Sequence, residues 1–109
     1  MERKINMKLL TNEIIKKFEE YPLYSQDGKG MDSVVLVKYF NPCGAGTWII
    51  TEAEEQDDGN WLLFGYFHIY CWEWGYAMLN DLQNLKLPFG LTIEQDLYIP
   101  KDARVKDLI

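Results

Sequence analysis

The chain has 109 residues, of which 48% are apolar, 15% aromatic and 26% charged, a balance that fits one compact domain and argues against a disordered chain. Its net charge of −6 is unevenly placed: residues 1–17 carry five Lys/Arg against two acids, whereas residues 18–99 carry three against thirteen. So acidic a body repels phosphate backbones, which disfavours direct nucleic acid binding except through Arg3, Lys4, Lys8, Lys16 and Lys17, and suits a basic protein partner.

No apolar run reaches the roughly 20 residues that span a bilayer, and MERKINMKLL lacks the apolar segment of a signal peptide, so no membrane role and a cytoplasmic location are expected. In that reducing setting Cys43 and Cys71 are expected as free thiols.

In chain order, Thr11 is placed to cap a helix over residues 12–20, with Glu13 at the positive end of the dipole and Ile14, Ile15 and Phe18 forming its apolar stripe. Pro22 ends it, and LYSQDGKGMD reads as a loop. SVVLVKYF, residues 33–40, reads as a buried strand, and the turn around Pro42, Gly44 and Gly46 returns the chain as GTWIITEAEE, completing a hairpin. An acidic turn with Asp58 and Gly59 leads into a long strand from Trp61 to about Cys71, and a tight turn at Trp72 and Glu73 returns Trp74 to Leu79. Asn80 with Gln83 has the capping-box spacing of a short helix, Pro88 and Gly90 end it, and Ile93 to Ile99 forms a last strand.

The fold class expected is therefore α+β: a curved antiparallel meander of about five strands, an N-terminal helix on one face and a short helix before the last strand. The compact part runs over residues 11–100, with residues 1–8 and 101–109 as loosely ordered ends.

The ordered string LYS (residues 23–25), KYF (38–40), TW and TE (Thr47, Trp48, Thr51, Glu52), LFG (63–65), WGY (74–76), LNDL (79–82) and GLTIEQDLY (90–98) resembles the bacterial family known as domain of unknown function 2958. The resemblance covers about residues 21–99. It implies no assigned activity, but a setting on plasmids, conjugative elements and phages, and hence an accessory role in transfer or in evading host defence. The family pattern has an Arg where this chain has Gln95, so no role for an Arg there carries over.

No enzyme signature stands out. His68 and Cys71 are three apart on the expected strand, which turns them to opposite faces and leaves no Cys/His pair and no metal site. Gly28-Lys29-Gly30 and Gly44-Ala45-Gly46 lack the strand-to-helix context of a phosphate loop, and neither Ser25 nor Ser33 lies in a nucleophile elbow. No cofactor is expected. Glu52, Glu94 and Asp96 are the candidate catalytic or cation-binding carboxylates, should the fold bring them together; the alternative is a solvated face or backbone capping.

On the long strand, Trp61, Leu63, Phe67, Ile69 and Cys71 are expected in the core, and Leu62, Phe64, Tyr66, His68, Tyr70 and Trp72 on the other face. Tyr24, Trp48, Tyr66, His68, Tyr70, Trp72 and Tyr76 are the candidate partner-binding residues, because Tyr and Trp anchor interfaces; most of the aromatic row is expected beneath the N-terminal helix, the rest facing a partner.

Overall fold

The computed structural model describes residues 9–109, so the expectations for residues 1–8, including the basic arm's Arg3, Lys4 and Lys8, lie outside the described residues. It is an α+β fold built on one open, curled antiparallel sheet. The strands are β1 (Val37–Phe40), β2 (Thr47–Glu55), β3 (Trp61–His68), β4 (Trp72–Met78) and β5 (Glu94–Gln95), in the order β4-β3-β2-β1-β5.

Helix α1 (Asn12–Glu20) begins where the Thr11 hydroxyl accepts the Ile14 amide at 3.2 Å. Its apolar stripe turns Ile14 and Phe18 onto one face of the sheet, where the Phe18 ring lies 5.1 Å from that of Trp61. Leu36, Val37, Tyr39, Trp48, Ile50, Leu63, Phe67 and Ile93 complete this main core. Tyr39 is wholly buried there, its hydroxyl donating to the Leu9 carbonyl, and burial pushes its ionisation well above the usual tyrosine range.

The opposite face carries a smaller apolar cluster of Val35, Ile49 and Val105, with Met31, Tyr66, Trp72, Ile99 and Leu108 packed against it. The C-terminal segment is thus part of the fold and not a loose end. Val34 and Arg104 form an antiparallel bridge, Val105 is fully buried and Ala103 nearly so. The Arg104 guanidinium donates to the Asp32 carbonyl at 2.7 Å, and Lys106 pairs with the Asp32 carboxylate at 2.7 Å. The expectation of polar looseness overlooked Ala103 and Val105, two small apolar residues at alternate positions, which is the spacing that sets both on one side of an extended chain.

Three further boundaries differ from the sequence reading. β3 ends at His68, so Ile69 and Cys71 leave the core for an exposed turn and β4 begins at Trp72. The last strand shrinks to two residues, because the Asp96 carboxylate accepts the Tyr98 amide at 2.9 Å and bends the chain out of the sheet. Asn80 does not cap α2 (Leu79–Gln83). Its backbone amide instead donates to the Asn60 side chain from the β2–β3 turn at 3.1 Å, so this helix end is satisfied across the fold.

Gly65 explains much of the sheet's curl. A β-bulge interrupts β2 between Ile50 and Glu52, and β2 there crosses so close to β3 that a Cβ on Gly65 would lie 1.9 Å from the Ile49 carbonyl oxygen.

Candidate functional site

The bulge turns Glu52 away from α1 to the face where its cross-strand partner Phe64 lies. The residue is 3% exposed, and its carboxylate is occupied: Oε1 accepts the Tyr24 amide at 2.7 Å and Oε2 the Gln26 amide at 2.9 Å. Gln26, equally buried, completes a clasp. Its Nε2 donates to the Val34 and Thr51 carbonyls at 2.9 and 2.8 Å, and its Oε1 accepts the Val34 amide at 2.8 Å. Two buried polar side chains therefore fasten the loop after α1 to the sheet, every buried side-chain polar atom described having a partner.

The clasp holds Tyr24 at φ 73°, a left-handed conformation that a non-glycine residue adopts at a cost of about 1–2 kcal/mol. The held backbone delivers an exposed ring beside Tyr76 of β4. The two tyrosine side chains lie close enough for Tyr24 to act on the ionisation of Tyr76. Partial desolvation, then the Tyr24 hydroxyl, and then the negative charges of Glu52 and Asp27 raise the ionisation of Tyr76 above the usual tyrosine value.

From Tyr76 an aromatic ladder runs along β3 and β4. The register pairs Phe64 with Tyr76, Tyr66 with Trp74 and His68 with Trp72. The Phe64 ring stacks on Trp74 at 5.6 Å and Tyr66 on Trp72 at 5.1 Å, Tyr66 also leans on Trp74 at 4.8 Å, and His68 meets Trp72 edge-on at 5.0 Å. These are the spacings at which cross-strand ring pairs stabilise a sheet. This row lies on the face opposite α1, which corrects the expectation that the helix would cover it. The period-two alternation of β3 assigns Trp61, Leu63 and Phe67 to the helix side and leaves Phe64, Tyr66 and His68 half-buried on the other.

Of the residues singled out from the sequence, Tyr24, Tyr66, His68, Trp72 and Tyr76 do share this surface, and Tyr70 stands 95% exposed at the tip of the β3–β4 turn. Trp48 does not belong to it: it is buried in the main core on the α1 side. Sequence reasoning missed Trp74, which bridges Phe64 and Tyr66, because a strand read from Trp74 leaves Trp72 in the turn and so hides the row of three alternating rings at Trp72, Trp74 and Tyr76. It also missed Gln26, for which an isolated Gln in a turn-rich loop gives no signal.

The three carboxylates do not converge. Glu52 belongs to β2, whereas Glu94 and Asp96 lie on and just after β5, with β1 between them. Asp96 faces Lys38 at 3.7 Å and, with Glu94, Phe40, Thr47 and Tyr98, lines an open cleft of about 430 Å³ at that edge. Among the described residues no three of His, Cys, Asp and Glu come together in a group able to hold a metal ion. His68 and Cys71 are separated for a reason other than strand alternation. Cys71 lies in the turn, its thiol 3.9 Å from the Glu73 carboxylate, while His68 rests against Trp72. Both cysteines are free and exposed. Among the described residues no helix is long and apolar enough to cross a membrane.

Comparison with protein families decides the chain's relationship, since the model described as "Protein of unknown function (DUF2958)" matches residues 9–108. The chain belongs to the DUF2958 family. No curated protein and no solved structure matches it. In this DUF2958 chain the match takes in the C-terminal segment through Val105, in keeping with its docking on the sheet.

Proposed function

We propose that this DUF2958 chain is a non-catalytic interaction module that docks a basic protein through the aromatic face of β3 and β4. The observation that carries the reading is Tyr24. Two buried side chains hold its backbone in an unfavourable conformation, and the ring so presented is 66% exposed. It belongs to neither buried cluster, so the conformation in which it is held supports a contact made outside the fold. Beside it, Trp74 and Tyr76 are also exposed, which gives three large aromatic side chains in one patch, the composition typical of interface hot spots.

Charge gives the partner's character. The strongly acidic stretch over residues 18–99 favours a positively charged surface and steers its approach. A concrete form is an inhibitor, encoded on a mobile element, that occupies the basic nucleic-acid groove of a host defence nuclease in place of phosphates. Carboxylate-based catalysis or metal binding is disfavoured, because both Glu52 oxygens are engaged by amides and Asp96 is matched by Lys38.

The test is capture of partners from a bacterial host on tagged wild-type chain and on the Trp74→Ala/Tyr76→Ala double variant. A specific basic protein retained by the first and lost by the second is the expected result. Absence of any specific partner, together with no effect on restriction or CRISPR interference, would overturn the reading.

A further inference from the structure

β4 is an outer strand of the sheet, and among the described residues no strand pairs with its outer edge. Its sequence WEWGYAM contains no Pro, no Lys and a single charge, and it pairs with β3 over seven successive residues without a bulge.

The hydrogen-bond pattern fixes which backbone groups it exposes. The Asn41 amide donates to Gly46 on the β2 side, and the Asp96 amide to Lys38 on the β5 side, which sets the phase of β1. In an antiparallel sheet this phase alternates from strand to strand. With the bulge at Thr51 included, and in accord with the Gln56 amide bonding to Asn60, it points the amides and carbonyls of Leu63, Gly65 and Phe67 toward β4. Their partners Ala77, Gly75 and Glu73 point back. Trp72, Trp74 and Tyr76 therefore direct their N–H and C=O groups off the free edge, and these are the residues whose rings form the aromatic row.

We propose that the partner's contribution is an extended, arginine-alternating segment that adds to β4 as a sixth antiparallel strand. This rests on the reading above and names the element that is bound. In a hydrogen-bonded antiparallel pair both side chains fall on the same face, so partner residues bonded to Trp72, Trp74 and Tyr76 lay their side chains over the aromatic row. Arginine suits those positions, because its guanidinium stacks on Trp and Tyr rings and Asp27 lies close enough to Tyr76 to act on its ionisation. The acidic β2–β3 turn ends beside Met78 at one end of the edge, and Glu73 lies near the other. A second copy of the chain is a poor occupant, since pairing β4 with itself would bring Glu73 and the acidic turn of two molecules, each of charge −6, against one another.

The experiment uses the full ¹⁵N-labelled chain and a blocked peptide alternating Thr and Arg over nine residues. Binding is expected to shift the amide signals of Trp72, Trp74 and Tyr76 and to slow their hydrogen exchange by about ten-fold or more. N-methylation of the arginines is expected to weaken binding by at least about ten-fold, and N-methylation of the threonines by less than about three-fold, because only the arginine amides face β4. Equal binding of the two methylated peptides overturns strand addition while leaving docking on the aromatic face intact. No binding by the unmodified peptide overturns it as well, whereas the protein-capture test judges the broader reading separately. Dimerisation of the chain alone that is lost on Trp74→Lys would identify a second copy as the occupant and also overturn it.

Discussion

The carboxylate of Glu52 accepts the backbone amide of Tyr24 at 2.7 Å across a sequence separation of 28 residues, and with the Gln26 amide on its other oxygen it fastens the loop after α1 to the middle of the sheet. The residue with the best catalytic appearance in the sequence is thereby a structural clasp that positions Tyr24.

Glu52→Ala leaves one buried and one partly buried amide without an acceptor, which costs about 3 kcal/mol. A drop in melting temperature of roughly 10 °C or more is expected for a domain of this size, with faster hydrogen exchange at Tyr24 and Gln26. Calorimetry combined with exchange measurements checks both. Unchanged stability would show that the clasp contributes nothing.

Titration with Mg²⁺, Mn²⁺, Ca²⁺ or Zn²⁺ is expected to leave the melting temperature unmoved, since a bound ion would have to displace the two amides from Glu52 or Lys38 from Asp96. A saturable rise in melting temperature that disappears in Glu52→Gln would contradict this.

Gly65 and Gly75 face each other across β3 and β4, yet they differ sharply in what they tolerate. A methyl at Gly65 collides with the Ile49 carbonyl, so Gly65→Ala is expected to destabilise by about 3 kcal/mol or more, as overpacking against backbone does. A methyl at Gly75 meets only the edge of the Phe67 ring at 3.8 Å, so Gly75→Ala should stay within about 1 kcal/mol of wild type, helped by the lower unfolded-state entropy of Ala. Urea denaturation of the two variants measures the contrast.

The ion pair of Asp32 and Lys106 makes docking of the C-terminal segment pH-dependent. Hydrogen bonding and charge attraction from Lys106 hold the Asp32 carboxyl below its usual value of 3.8, and Asp32 holds Lys106 above its usual 10.5. The depressed acid contributes fully above its unfolded value and loses that contribution as pH falls through the folded one. The raised base contributes below its unfolded value and loses that as pH rises through the folded one. Exchange protection around Val105 is therefore expected to be greatest across the neutral range and to fall below about pH 4 and above about pH 10. Because both groups are exposed, Asp32→Asn should abolish the acid-side change and alter global stability little.

Much of the architecture was legible in local pattern. Thr11, the stripe of Ile14 and Phe18, the hairpin turns and the alternation along Trp61–His68 specify helix, strands and faces, because capping, helical period and pleat period act over a few residues. The acidic character and the family were likewise carried by the sequence.

The site was decided by tertiary structure. No local rule places the Glu52 carboxylate on the amides of Tyr24 and Gln26, pairs Tyr24 with Tyr76, or separates Glu94 and Asp96 from Glu52 by an intervening strand. Nor could composition show that α1 takes the Trp61, Leu63 and Phe67 side, leaving Phe64, Tyr66 and Trp74 open. Both faces of β3 are apolar enough to be buried, and a helix covers only one. The same holds for the C-terminal segment, whose few apolar residues become core only because the sheet's second face has an uncovered patch at Val35 and Ile49 to receive them.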